Sequence, residues 1–467
     1  MKRIKFILTI IFIGFISFTN AQGYKIEVQI KGIKDTTIML GYHLGEKKYV
    51  QDTAKVDSKG YAVFQGDSLK QGIYLVILPS KTYFEILVTK NQKFGVKTDS
   101  KDLLANLTFT ASRENTAFSE YQRFMVEQQK LMTQYQATYK AVSANPDSVK
   151  IMKDKEKDLD KKVNAYWADL IKNDPNSLLS AIVKTMIPIQ MPEFKVPDNV
   201  KNADSLKWVM GYQYNKNHYF DNISLTDSRL IRTPILEQRL NTFFDRLLIP
   251  VPDSITPEAI KIIEKTRLNK EMFQYVLSHL GNKFSTSNVM GLDAVFVAIA
   301  EKYYLTGQAW WADKKMLEKI QERVNALKPN LIGNQCPELS LPDMAGRTRK
   351  LSDINAKITV LYFFDSNCSH CKKVTPEVKK LYDIFKPKGL EVYAVYTQGN
   401  QPELVEYINK NNLNWINVWD PAQNSKFRDL FDIYSTPVIY VLDAKKKIIA
   451  KRISEESLKQ MLEQEFK

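Results

Sequence analysis

Val360-Leu361-Tyr362-Phe363-Phe364-Asp365-Ser366-Asn367-Cys368-Ser369-His370-Cys371-Lys372-Lys373-Val374-Thr375-Pro376 carries the decisive information in this chain. Its first five residues are an unbroken apolar run, as in a strand buried on both faces. Asp365-Ser366-Asn367 turns the chain, and a helical pattern begins at Cys368. A cysteine at that position meets free backbone N–H groups and the positive end of the helix dipole, which favour thiolate over thiol. His370, when protonated, and Lys372 add positive charge, so Ser369 and His370 tune the pair. Such surroundings bring a cysteine pKa from about 8.5 into the range of roughly 3.5–7.5. Cys371 lies one helical turn further in, close enough to attack a disulfide formed at Cys368.

Working outward, Ile358–Phe364 is predicted as a strand, Cys371–Phe385 as a helix and Leu390–Tyr396 as a second apolar strand. Pro402–Asn411 is a helix, Trp415–Trp419 a short strand and Asn424–Phe431 a short helix. Val438–Leu442 and Ile448–Ile453 are strands joined through Asp443-Ala444-Lys445-Lys446-Lys447, and Glu455–Glu465 closes as a helix. Alternating strands and helices followed by a hairpin imply a mixed sheet with helices on both faces.

These features resemble the thioredoxin superfamily over about residues 330–467. Beyond the Cys-x-x-Cys, Pro376 falls five residues after Cys371, where such proteins carry a helix-kinking proline. Thr436-Pro437 precedes the strand Val438–Leu442, where the family places a cis-proline loop against its active site. The resemblance implies that Pro437 is cis and that the backbone of Thr436 pairs with an extended substrate. The opening Gly333-Asn334-Gln335-Cys336-Pro337-Glu338-Leu339, followed by Gly346 and Leu351-Ser352-Asp353, looks like the first hairpin of the exported subgroup. That subgroup includes membrane-tethered and periplasmic thiol reductants of cytochrome maturation. The N-terminal part resembles the extensions of Bacteroidetes secreted thioredoxin-like proteins.

The sequence also departs from the family. Asn367 stands where thioredoxin has tryptophan, Ser369-His370 replaces Gly-Pro, and Tyr362 replaces a buried aspartate. The usual proton acceptor for the resolving thiol is therefore missing, and Asp365 reads as a loop residue rather than a shuttle. A histidine before the second cysteine is similar to oxidising relatives, whereas the opening hairpin is similar to reductants. The direction of the chemistry stays open. Cys336 reads as a small buried residue, with a third redox thiol as the alternative. A structural disulfide, half of a zinc site and a peroxidase-type cysteine are the alternatives for Cys368 and Cys371. Zinc would need two more ligands that no second Cys-x-x-Cys or histidine pair supplies. Haem attachment would need histidine where Lys372 stands.

Upstream, residues 24–31 alternate, with Tyr24, Ile26, Val28 and Ile30 on one side, the pattern of a half-buried strand. Further strands are expected at 37–43, 61–64, 73–78, 84–88 and 94–97, punctuated by turns, which together suggest a small β-sandwich. From Ala111 the period becomes helical, with Phe118, Tyr121, Met125 and Met132 on one face. Asn145-Pro146-Asp147 interrupts it and a second helix follows to Lys172, as an αα-hairpin. More helices are expected near 177–187, 203–215, 227–247, 256–280, 290–305 and 311–327. Trp167, Tyr212, Tyr214, Phe243, Phe244, Trp310 and Trp311 read as core, and His43, His218 and His279 as isolated histidines.

The chain begins with Lys2, Arg3 and Lys5, an apolar run from Phe6 to Phe18, and Thr19-Asn20-Ala21. That is the form of a cleaved signal peptide over residues 1–21, and the run is too short for a membrane span. The net charge of +15 comes from lysines spread along the whole chain, which in an exported protein points to solubility rather than nucleic acid. Only three cysteines, all near the C-terminus, exclude a disulfide-stapled scaffold.

The expectation is a multidomain chain: a signal peptide at 1–21, a β-sandwich at 22–110, an α-helical domain at 111–329 and an α/β thioredoxin fold at 330–467. The expected activity is an exported, periplasmic thiol–disulfide oxidoreductase acting on protein substrates, by preference as a reductant fed by a membrane electron donor. Cys368 and Cys371 would be catalytic, and Thr436 with Pro437 would shape the docking groove. No cofactor, metal or nucleic acid is expected, and the oligomeric state stays open. The rival reading is a redox-sensing or client-binding protein, and the reverse cycle would form disulfides.

Overall fold

A computed structural model describes residues 23–142, 146–197, 199 and 201–467; the signal-peptide segment lies outside them. The described residues fall into two compact units divided after Asn241.

The first unit opens with two four-stranded sheets. One runs in the order Tyr61–Gly66, Tyr24–Lys31, Lys93–Asp99, Thr108–Thr110, and the other Lys47–Val56, Thr36–Leu44, Gly72–Ile77, Tyr83–Val88. The alternation at the start of the chain sets the inner face: Ile26, Val28 and Ile30 join Phe64, Ile38, Leu40, Tyr74 and Ile86 in one core. The strand Lys47–Val56 escaped the sequence reading because it lies at a sheet edge and is exposed through its first five residues. It therefore carries charge instead of an apolar alternation. Long helices Arg113–Val142 and Pro146–Asn173 follow, packed together through stacked Phe124 and Tyr166, with ring centroids 4.1 Å apart.

The second unit begins with helices Pro252–Lys265, Lys270–Ser285, Asp293–Ile299 and Lys314–Leu327. The single helix expected at 256–280 is two. Thr266 to Asn269 break it, and the Asn269 side chain caps the second helix by accepting the Met272 N–H at 3.0 Å. Of the aromatics expected in the core, Phe243 and Phe244 are buried, but Trp310 is 53% exposed and stacks on Phe273.

The C-terminal sheet has the order Ile416–Trp419, Leu390–Tyr396, Ile358–Phe364, Val438–Leu442, Ile448–Lys451. The first three strands run parallel, Val438–Leu442 runs antiparallel to Ile358–Phe364, and Ile448–Lys451 antiparallel to Val438–Leu442. Ile358–Phe364 is central and buried at every position. Its period of two sends Val360, Tyr362 and Phe364 into one core, with Val378 and Tyr382 of the helix Ser369–Phe385. Leu361 and Phe363 enter the core on the other face, with Phe427, Phe431 and Tyr440. A short hairpin, Ser340–Pro342 with Thr348–Lys350, precedes this sheet. The architecture is thus N-terminal β-sheets, a helical middle and a C-terminal α/β fold of the thioredoxin type.

Candidate active site

The central strand ends at Phe364, and three residues carry the chain to the helix Ser369–Phe385. Asp365 builds that turn: its carboxylate accepts the Asn367 N–H at 2.8 Å and the Gln398 side-chain N–H at 2.7 Å. Its role in this geometry is the loop one. Asn367, beside the first cysteine, donates from Nδ2 to Glu403 Oε2 at 2.8 Å. Glu403 was not singled out in the sequence, since nothing local ties a glutamate on the helix Gln401–Lys410 to a loop so far upstream.

Cys368 is the N-cap of the helix, and its Sγ accepts the Cys371 N–H at 3.5 Å. It also donates to the Thr436 carbonyl at 3.2 Å, across the loop that carries Pro437. The Thr436–Pro437 peptide bond is cis. Partial burial by itself raises the Cys368 thiol. Hydrogen bonds from the Cys371 backbone and side chain, the Thr436 side chain and the His370 backbone N–H outweigh it, and the net direction is down. Ser369 and His370 are exposed in the first turn.

Cys371 is buried, and burial pushes its thiol up to about 12. The Asp365 N–H, 3.5 Å from Cys371 Sγ, opposes this, while the neighbouring Cys368 adds to it. Both cysteines are free thiols. The site therefore pairs a half-exposed sulfur held toward thiolate with a buried sulfur held as thiol.

Beneath the pair lies a chain of hydroxyls in place of a carboxylate. Thr375, one turn after Cys371, meets Tyr362 OH at 2.8 Å and accepts from Tyr407 OH at 3.0 Å. Tyr407 also lies 3.5 Å from the Cys371 carbonyl. Neither residue was singled out in the sequence; the i,i+4 spacing from Cys371 was a signal for Thr375, and no local signal pointed to Tyr407. Cys336 is buried in the core on the opposite sheet face, where burial pushes its thiol up to about 12. Of the isolated histidines, His43 is buried 3.6 Å from Glu85, His218 bonds Asp221 at 2.6 Å, and His279 stacks on Tyr275. Among the described residues no group of three or more His, Cys, Asp or Glu is arranged to hold a metal ion.

Residues 332–451 match the AhpC/TSA family, 148–330 a domain of unknown function (DUF5106), and 24–118 another (DUF4369). The thiol-disulfide oxidoreductase ResA of Bacillus thuringiensis is 25% identical over 154 residues, which cover 33% of this chain and 80% of that protein. A solved structure from Cytophaga hutchinsonii, described as "a domain of possible thiol-disulfide isomerase", is 40% identical, covering 29% of this chain and 92% of that one, with a TM-score of 0.28. The thioredoxin domain of a Bacteroides vulgatus thiol-disulfide oxidoreductase is 26% identical, covering 29% of this chain and 98% of that one, also with a TM-score of 0.28. The chain carries a thioredoxin-like domain of the AhpC/TSA family at residues 332–451 and stands among the thiol–disulfide oxidoreductases.

Proposed function

We propose that this protein is exported and reduces disulfides of protein substrates through Cys368 and Cys371. The observation that carries the reading is the asymmetry of the two sulfurs: one thiol lowered at a helix N-terminus, the other buried and pushed up to about 12. In the first step the Cys368 thiolate attacks a substrate disulfide; an Sγ–S bond forms, the substrate S–S bond breaks, and the departing thiolate takes a proton from solvent. In the second step Cys371 loses its proton and attacks Cys368 Sγ. The Cys368–Cys371 disulfide forms, the substrate leaves with both sulfurs reduced, and the enzyme has given up two electrons. Regeneration then needs an external reductant, which for an exported enzyme is a membrane electron donor.

Thr436 and Pro437 face Cys368 across the groove, which supports a docking role for them. Ser369 and His370 act on the thiolate through their place in the first turn, His370 by its backbone N–H. The opening hairpin Ser340–Pro342 with Thr348–Lys350, which resembles that of the exported thiol reductants, supports the reductant direction. The division into a signal peptide at 1–21, a sandwich at 22–110, a helical domain at 111–329 and the oxidoreductase domain at 330–467 belongs to the same proposal, as does a periplasmic location.

Two measurements test it. Cys371→Ala should accumulate mixed disulfides through Cys368, visible by mass spectrometry and lost on reduction; a variant that traps nothing overturns the two-cysteine mechanism. Equilibration of the parent against glutathione should give a potential near or below about −250 mV, whereas a value near −120 mV would make it an oxidant.

A further inference from the structure

The groove beside Pro437 does not end with the thioredoxin-type fold. On one side of this proline a cavity of about 390 Å³ is lined by His370, Lys373 and Val374 of the active-site helix, with Ile439, Arg452 and Ile453. On the other side a second cavity, of about 300 Å³, is lined by Ser435, Pro437 and Arg452 and, facing them, by Ser287, Val289 and Met290. Both have Pro437, Arg452 and Ile453 in their walls, so the second cavity adjoins the first past the proline. Its far wall is the loop between helices Lys270–Ser285 and Asp293–Ile299.

That loop is held in place. Val289 N–H donates to Ser287 Oγ and Leu292 N–H to the Val289 carbonyl, each at 3.2 Å, and Gly291 takes φ +85° where the chain turns. Just beyond it Asp293 pairs with the buried Lys451, whose Nζ also donates to the Asn330 carbonyl at 2.6 Å. Nearby, Asp432 pairs with both Arg323 and Arg452. These pairs fix the loop relative to Pro437. Yet Val289 and Met290 are 49% and 45% exposed, and Tyr434, just before the proline loop, is 80% exposed.

We infer that the loop 286–291 is the second wall of the substrate-docking cleft and that the occupant is an extended polypeptide segment bearing the target disulfide. The inference rests on the oxidoreductase reading above and adds which residues outside the thioredoxin-type fold select a polypeptide substrate. Cys368 must receive a sulfur from outside, and the cleft continues on both sides of the proline beside it. Among the described residues, the N–H groups of Ser435 and Thr436 have no backbone partner, which leaves them for a strand laid alongside. Side chains flanking the substrate cysteine then meet Val289, Met290 and Tyr434, contacts that a small disulfide does not reach. The helical extension thereby selects polypeptides over small disulfides.

The test uses the full chain and two oxidised probes: a linear peptide dimerised through one central cysteine, with apolar flanking residues, and 5,5′-dithiobis(2-nitrobenzoic acid). In single turnovers of the chain reduced beforehand, V289D/M290D should lower the second-order rate constant for the peptide dimer about tenfold while leaving that for the small disulfide unchanged. V289K/M290K, of opposite charge, should do the same. Equal loss toward both probes would mark the loop as merely structural, and no loss toward either would remove it from docking; each result overturns the inference alone. A parent protein that reduces neither probe removes the oxidoreductase reading and this inference with it.

Discussion

The two sulfurs of the Cys-x-x-Cys differ because one caps a helix and the other lies inside it. Cys368 has helix amides directed at it, and Cys371 has lost its water. The first alkylation by iodoacetamide at neutral pH should therefore fall on Cys368 alone, with a rate midpoint below that of a free thiol. Peptide mapping reads the site, and equal labelling of Cys371 would contradict the assignment. Cys371 also links stability to pH. Its thiol is pushed up to about 12, so the folded chain holds a proton that the unfolded chain releases in the ordinary thiol range. The stability this contributes is complete below that range and is lost as pH rises toward 12. Resistance of the dithiol form to denaturation should accordingly fall more steeply over that window than that of Cys371→Ala.

At the scale of the element, one strand and one helix carry the site. The strand Ile358–Phe364 was legible as a buried apolar run, and its two-residue period divides its side chains between the two faces of the sheet. The helix was legible over Cys371–Phe385 and starts two residues earlier, at Ser369, with Pro376 inside it where the family resemblance placed a proline. What joins them is Thr375, fully buried between Tyr362 and Tyr407. Thr375→Val keeps the shape but leaves two buried phenols without that partner. Each unpaired hydroxyl costs about 1–3 kcal/mol, and urea denaturation should show a loss of that order. A loss below about 0.5 kcal/mol would mean that the hydroxyls find other partners. Elsewhere the helical period alone misled: continuity of apolar residues suggested one helix over 256–280, although Asn269 is a capping residue that signals a fresh start.

For the molecule as a whole, the second unit depends on charges buried between the helices after Asn241 and the C-terminal sheet. Lys451 is buried, and desolvation pushes its ammonium group down more than Asp293 pulls it up. Such a pair adds little net stability and acts mainly to fix position, whereas removing one partner strands the other. Lys451→Met should destabilise the second unit by about 3–5 kcal/mol. The double change Lys451→Met with Asp293→Leu should restore most of that. Calorimetry or guanidinium unfolding of the two variants checks both values, and an equal loss in the pair would show that Asp293 is not the stranded group.

The sequence by itself determined the class of the C-terminal fold, the strand that feeds the Cys-x-x-Cys and the placement of Cys368 where a helix starts. It also showed the sandwich alternation from Tyr24 to Ile30. All of these rest on local periods of two or 3.6 residues, or on spacings of a few residues. Only the tertiary structure decided that Tyr407 meets Thr375, that Glu403 holds Asn367, and that Asp293 finds Lys451. It alone brought Val289 and Met290 to the cleft that Pro437 also lines. Those partners are far apart along the chain, and no local period records which distant surface a polar or exposed residue will face once the core has closed.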